Sequence, residues 1–181
     1  MRIVAGKYRH RLIIYPDDAT HTRPTKDRVR EAIFSALGNI SNARVLDLYA
    51  GSGAMGIEAL SRGATHAVFV DISPIAIKTI KENIANLKID NNEYEVIENK
   101  DVSAIEYLKE KGQPFDLIIL DPPYEEGQYE VVVAKLNEAH LISENAIIVM
   151  EANRSIKLEN IEYQRNKEYH YGEIMVFIYW R

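Results

Sequence analysis

From Arg44 onward, short apolar runs alternate with stretches in which apolar residues recur three and four positions apart. Apolar strands separated by amphipathic helices are the pattern of a parallel sheet covered on both faces. Strands are expected at residues 44–49, 67–71, 94–98, 115–120 and 146–151. A helix fits from about Ala54 to Gly63, a residue suited to the left-handed turn that ends a helix, and another starts at the cap Ser73 with Pro74 in its first turn. Ile77, Ile80, Ile84 and Leu87 give that second helix its buried stripe, and further helices fit residues 102–111 and the stretch after Gly127. Residues 162–181 alternate aromatic and polar positions about Tyr171-Gly172-Glu173 and read as an antiparallel hairpin closing the sheet. Within it, Tyr163, Tyr169, Tyr171, Tyr179 and Trp180 read as half-buried strand residues rather than a stacking platform.

Ahead of the sheet, residues 2–4 and 12–15 can pair as a small hairpin carrying a basic loop at 7–11. Thr22 or Thr25 then caps a helix with Val29, Ala32, Ile33, Ala36 and Leu37 on its buried face and Arg28, Arg30 and Glu31 off it. Residues 15–23, with one proline and few apolar side chains, are expected to be a mobile linker. The 181 residues suit a single domain, 1–181, in which 1–40 form a basic appendage to a sheet core at 41–181.

Composition narrows the chemistry. There are no cysteines, which excludes disulfides, thiolate metal sites and cysteine nucleophiles. His10, His21 and His140 have no partners at metal-ligand spacing, so no metal is expected. No run reaches the length of a membrane span, and a cytoplasmic protein is expected. The net charge of −5 conceals an asymmetry: residues 1–30 carry eight Lys and Arg against three Asp, while the remainder is strongly acidic. A basic arm on an acidic body suits a protein that touches a polyanion with one end.

Two motifs carry the candidate chemistry. Gly51-Ser52-Gly53-Ala54-Met55-Gly56 follows the first strand as a glycine turn that lets a ligand approach the backbone, and Asp71 closes the second strand, where a carboxylate accepts ribose hydroxyls. Asp101 stands at a third strand-to-helix junction and Asp47 just before the glycines. Carboxylates around such a turn suit the ammonium and sulfonium of S-adenosylmethionine better than the pyrophosphate of a dinucleotide. Asp121-Pro122-Pro123-Tyr124 follows the apolar run 117–120. Each proline removes an N–H and fixes its own φ, leaving a stiff set of carboxylate and carbonyl acceptors beside an aromatic ring, an array matched to the amino group of a stacked base.

These residues resemble the small bacterial 16S rRNA guanine-N2 methyltransferases of the RsmD type, over nearly the whole chain. The resemblance rests on Arg2-Ile3-Val4-Ala5-Gly6-Lys7-Tyr8-Arg9, Arg23-Pro24-Thr25 with Asp27-Arg28-Val29-Arg30-Glu31-Ala32, Leu46 to Gly53, Glu58 to Ala64 and Asp121 to Tyr124. Asp71 stands where that family usually has glutamate, Tyr49 where it often has phenylalanine and His10 where glycine is frequent. The resemblance implies a Rossmann-like α/β fold of class I methyltransferase type, with a seven-stranded, mostly parallel sheet. It implies S-adenosylmethionine as donor, and as target the guanine numbered 966 in 16S rRNA, met within a small-subunit assembly intermediate. Cofactor contacts are expected from Asp47, Tyr49, Ala50, Gly51, Ser52, Gly53, Asp71, Ile72, Asp101, Val102 and Asp121, and the methyl-accepting corner from Asp121, Pro122, Pro123 and Tyr124. Lys7, Arg9 and Arg11 are the expected phosphate contacts, with Arg23, Thr25 and Arg28 closing over cofactor and RNA.

Guanine presents N1–H beside its N2 amino group, a double-donor edge that an acceptor-only carboxylate can meet, which tilts Asp121 toward guanine. Methylation of adenine N6 or of a glutamine side chain is the nearest alternative, since related Pro-Pro-Tyr sites serve both. An NAD-dependent oxidoreductase would rest on the glycine turn alone, and a catalytically silent RNA-binding module on the basic arm alone.

Overall fold

The computed structural model describes residues 1–16, 27–123, 129–159, 161–172 and 174–181. Its elements run α1 (Asp27–Leu37), β1 (Arg44–Leu48), α2 (Ala54–Ser61), β2 (His66–Asp71), α3 (Pro74–Leu87) and β3 (Tyr94–Glu98). There follow α4 (Asp101–Lys111), β4 (Phe115–Leu120), α5 (Tyr129–Glu138), β5 (Ile142–Ala152), β6 (Arg165–Tyr171) and β7 (Ile174–Trp180). The seven strands form one sheet in the order β3-β2-β1-β4-β5-β7-β6, parallel except where β7 opposes both β5 and β6. Strand order reverses between β1 and β4, and the crevice outside the carboxyl ends of strands at such a switch point is where open α/β sheets hold ligands.

The pleat divides the core in two. Val45, Phe69, Leu117, Ile119, Val149, Val176 and Ile178 face α1, α2, α3 and the N-terminal residues Ile3, Tyr8 and Ile13. Leu46, Val68, Ile118, Leu120, Ile148 and Phe177 face α4 and α5. Local signals hold where they were strongest. Ser73 Oγ accepts from Ala76 N–H with Pro74 in the first turn of α3, and Gly63 has φ of 104° just past the end of α2. β5 is longer than residues 146–151, because the polar interruption Ser143-Glu144-Asn145 is absorbed by a register irregularity opposite Phe115 to Leu117.

At the N-terminus the expected hairpin is short: Ile3 N–H donates to the Arg11 carbonyl and Ile13 N–H to the Met1 carbonyl, both at 3.0 Å, with Arg2 opposite Leu12, and the following residues turn their backbone groups to the body of the protein. Val4 and Ala5 N–H donate to the Glu58 carboxylate at 2.8 and 3.1 Å, and Tyr8 N–H donates to Ser61 Oγ at 2.9 Å. His10 has φ of 68°, a left-handed conformation that explains why glycine suits this place. Arg30 is not off the buried face of α1: it is fully buried. Its guanidinium contacts Glu58 at 3.4 Å and Asp27 at 3.0 Å and donates to the carbonyl of Arg2, so a helix residue that looks solvent-facing by type is the bolt between arm, α1 and α2. Thr22, Thr25 and most of the expected 15–23 linker lie outside the described residues.

Candidate active site

The glycine turn begins as β1 ends. Tyr49 and Ala50 both donate their N–H groups to the carbonyl of Val70, at 3.0 and 2.9 Å, which ties the turn to the end of β2. Tyr49, Gly51 and Gly53 have φ of 73°, 54° and 77°. Gly53 then caps α2 without a side chain. Gly56 serves a different need, since a Cβ there would lie 2.3 Å from the Phe69 ring, so its absence lets α2 settle on the sheet.

Around this turn the expected residues converge. Asp71 accepts from Gly51 N–H at 2.8 Å through Oδ2 and from Ser73 N–H at 2.9 Å through Oδ1. Each oxygen retains a lone pair, so the carboxylate is fixed in aim and still able to receive a diol. Tyr49 donates its hydroxyl to Asp101 Oδ2 at 2.6 Å, while Val102 N–H donates to Oδ1 at 2.7 Å, anchoring the start of α4 to the turn after β1. Ile72 and Val102, which follow the ends of β2 and β3, are among the few large apolar side chains left exposed. A separate groove of about 490 Å³ lies along α3 from Pro74 to Ala85, with Glu98 on its other side, and neither Ile72 nor Val102 lines it. Two exposed apolar side chains with acceptors beyond them fit a purine riboside, so the residues present suit S-adenosylmethionine.

About the switch point three acids gather on the α1–α3 face, Asp47 on β1 and, across it, Asp121 and Glu151. Asp47 is buried near the end of β1 and accepts from Gly56 N–H at 2.8 Å. Burial, together with repulsion from Asp71, pushes its carboxyl up to about 7 despite that hydrogen bond. Asp121 follows β4 directly, one residue beyond the Leu120–Met150 pair, which brings it alongside Glu151 of β5. Burial first, then the charges of Glu151 and Asp47, holds the Asp121 carboxyl well above the usual carboxylate range. Pro122 is buried and Pro123 exposed, while Tyr124 lies outside the described residues. Glu151, buried, was not singled out in the sequence. The available signal was positional: like Asp71 and Asp121, it is an acid that ends an apolar run.

Among the described residues, Lys7 and Arg11 of the arm lie away from this edge. Lys7 pairs with Glu93 at 3.5 Å and Arg11 donates to the carbonyl of Asn86 at 2.8 Å, while the arm backbone at Lys7 and Tyr8 bonds Ser61. Ser61 ends α2 and Glu93 precedes β3, both at the amino-terminal edge of the sheet. Arg28 is exposed on α1, and Arg23 and Thr25 lie outside the described residues. One residue links arm and turn. Asn83, buried on α3, accepts from Ile14 N–H at 2.7 Å and donates to the carbonyls of Ile14 at 3.0 Å and Ser52 at 2.9 Å. Among the described residues no cluster of potential metal ligands is present, and no helix is long and apolar enough to cross a membrane.

The sheet order, the glycine turn and the acids at the strand ends define a class I, S-adenosylmethionine-dependent methyltransferase. Comparisons with known proteins agree. Residues 1–180 match the family model described as "Conserved hypothetical protein 95". The chain is 35% identical to Ribosomal RNA small subunit methyltransferase D of Escherichia coli K12 over 153 residues, covering 84% of this chain and 74% of that protein. It is 37% identical to Bacillus subtilis YlbH, described as a "Putative rRNA methyltransferase", covering 87% of this chain and 85% of that one. A solved structure described as "Putative methyltransferase yhhF from Escherichia coli" superposes with a TM-score of 0.83 at 32% identity, covering 100% of this chain and 97% of that one. The chain belongs to this family, that of the RsmD methyltransferases.

Proposed function

We propose that this chain methylates the exocyclic N2 of a guanine in small-subunit 16S rRNA, by resemblance guanine 966, during assembly of the subunit in the cytoplasm. The observation that supports this most is the place of Asp121 and Pro122: they leave β4 across the switch point from the glycine turn, with Leu48 and Leu120 paired in register just below them. S-adenosylmethionine, when bound, supplies the electrophilic methyl group. Asp71, Asp101 and the turn orient its adenosine, and Asp47 faces the amino-acid end.

Asp121 and the Pro122 carbonyl accept the hydrogens of the base, drawing the N2 lone pair out of conjugation and toward the methyl carbon. Tyr124 stacks on the extruded base, as enzymes that modify bases require. Positioning of this kind contributes on the order of 7–11 kcal/mol, so no metal or strong base is called for. The methylated nitrogen sheds its proton to Asp121 or to water. Burial and the neighbouring acids hold the Asp121 carboxyl well above the usual carboxylate range, and an arriving positive charge favours its ionised, hydrogen-accepting form.

The test is transfer of labelled methyl groups to small-subunit RNA and to assembly intermediates from cells lacking this protein, with mapping of the modified nucleotide. Label on guanine N2, lost in Asp121→Ala with cofactor affinity retained, is the expected result. Label on adenine N6, or none on RNA, overturns the reading.

A further inference from the structure

β6 is an edge strand whose two faces differ in kind. Its odd positions, Arg165, Lys167, Tyr169 and Tyr171, pair with Trp180, Ile178, Val176 and Ile174 and share the sheet face that carries Asp47. Its even positions, Asn166, Glu168 and His170, point the other way, where Glu168 and His170 approach to 2.7 Å. Lysine, arginine and the tyrosines are thus sorted onto one face, and Asn166, Glu168 and His170 onto the other.

That face runs toward the active edge. β6 is parallel to β5, since both oppose β7, so Tyr171 lies at the carboxyl edge with Asp121. The register is continuous: Tyr169 pairs with Val176, Val176 pairs with Glu151, and Glu151 flanks Asp121. Three strand spacings, roughly 14 Å, separate the tyrosine row from Asp121. The Tyr169 and Tyr171 rings are nearly parallel, 14° apart in plane with centroids 6.4 Å apart, and both are only half-buried. Tyr179 of the same hairpin is by contrast fully buried, and Tyr163 packs edge-on against it. Arg165 lies 4.2 Å over Trp180, and Lys167 stands exposed between the arginine and the tyrosines.

We propose that this face of β6 is a docking surface for single-stranded RNA flanking the extruded base, with Tyr169 and Tyr171 stacking on bases and Lys167 and Arg165 meeting phosphates. The inference rests on the RNA-methylating reading above. Aromatic side chains interleaved with cations on an open sheet face are the arrangement by which single strands are held without sequence reading.

The experiment compares the full-length protein with Tyr169→Ala/Tyr171→Ala, Tyr169→Phe/Tyr171→Phe and Lys167→Gln/Arg165→Gln, using a 16S rRNA fragment that the unaltered protein methylates. Binding of the fragment, its salt dependence and the affinity for S-adenosylmethionine are all measured. The alanine pair is expected to weaken RNA binding by about 5- to 150-fold per lost stack, the phenylalanine pair to retain it, and cofactor affinity to stay constant in both. The glutamine pair is expected to flatten the log–log salt slope by up to about 2 × 0.7. Unchanged RNA affinity in the alanine pair, or equal loss in the phenylalanine pair, overturns the docking surface while methylation by the unaltered protein leaves the proposed function standing. If the unaltered protein methylates no RNA, both fall together.

Discussion

The Tyr49 hydroxyl donates to Asp101 Oδ2 at 2.6 Å, joining the turn after β1 to the first residue of α4 across β2 and β3. The two ends of the proposed adenosine site are therefore held by one short contact. Tyr49→Phe removes the donor but keeps the ring, and its expected cost is about 1 kcal/mol of cofactor binding, roughly a fivefold rise in Kd by calorimetry. Asp101→Ala, which also releases Val102 N–H, is expected to cost more. Equal affinities in all three proteins would remove Asp101 from the cofactor site.

Asp47 makes stability depend on pH. Its folded carboxyl titrates at about 7, against about 4 in the unfolded chain, so between those values the folded state holds a proton that the unfolded state has released. Stability should therefore fall as pH rises from about 4 to 7, by an amount of order 1.4 kcal/mol per unit of the shift. Asp47→Asn keeps an oxygen for Gly56 N–H and is expected to raise Tm relative to the parent at pH 8 but not at pH 4. Parallel melting curves for the two proteins across that range would contradict the assignment.

Glu151 raises the Asp121 carboxyl by its charge. Glu151→Gln removes that charge with little change in volume, so Asp121 should ionise at lower pH. The acid limb of the kcat/KM profile for methyl transfer is expected to move to lower pH while the alkaline side stays in place. An unmoved acid limb would mean that Asp121 does not titrate in the rate, or that Glu151 does not sense it.

Arg30 and Glu58 form a buried pair on which several other groups depend. Arg30→Ala leaves the Glu58 carboxylate with Arg62 and the arm N–H groups alone, at an expected cost of about 3–5 kcal/mol in urea unfolding. The double variant with Glu58→Ala should lose less than the sum of the two single variants, because the stranded charge is then gone. Strict additivity would argue that the pair is not coupled.

The repeating part of the fold was legible because period and punctuation agree there: apolar runs bounded by Gly63 and Ser73-Pro74 leave little choice of element. The acids at strand ends were legible one by one as Asp71, Asp101 and Asp121. Glu151 was not, since an acid closing a buried strand reads as a simple stop until strand order sets β5 beside β4. Arg30 failed for a related reason: helical pattern counts arginine as polar, and only the docked arm supplies the carbonyl and carboxylates that let a guanidinium be buried. The basic arm was read correctly as charge but not as location, because sequence gives no hint that Ser61 and Glu93 draw it to the far edge.

Asn83 grips Ile14 with two hydrogen bonds and Ser52 with a third. A single amide is thus shared by the N-terminal strap and the glycine loop, so a shift of either, or a ligand that draws on either, loads the same three hydrogen bonds. By reciprocity, whatever tightening one visitor gains from the other's presence must be returned in equal measure.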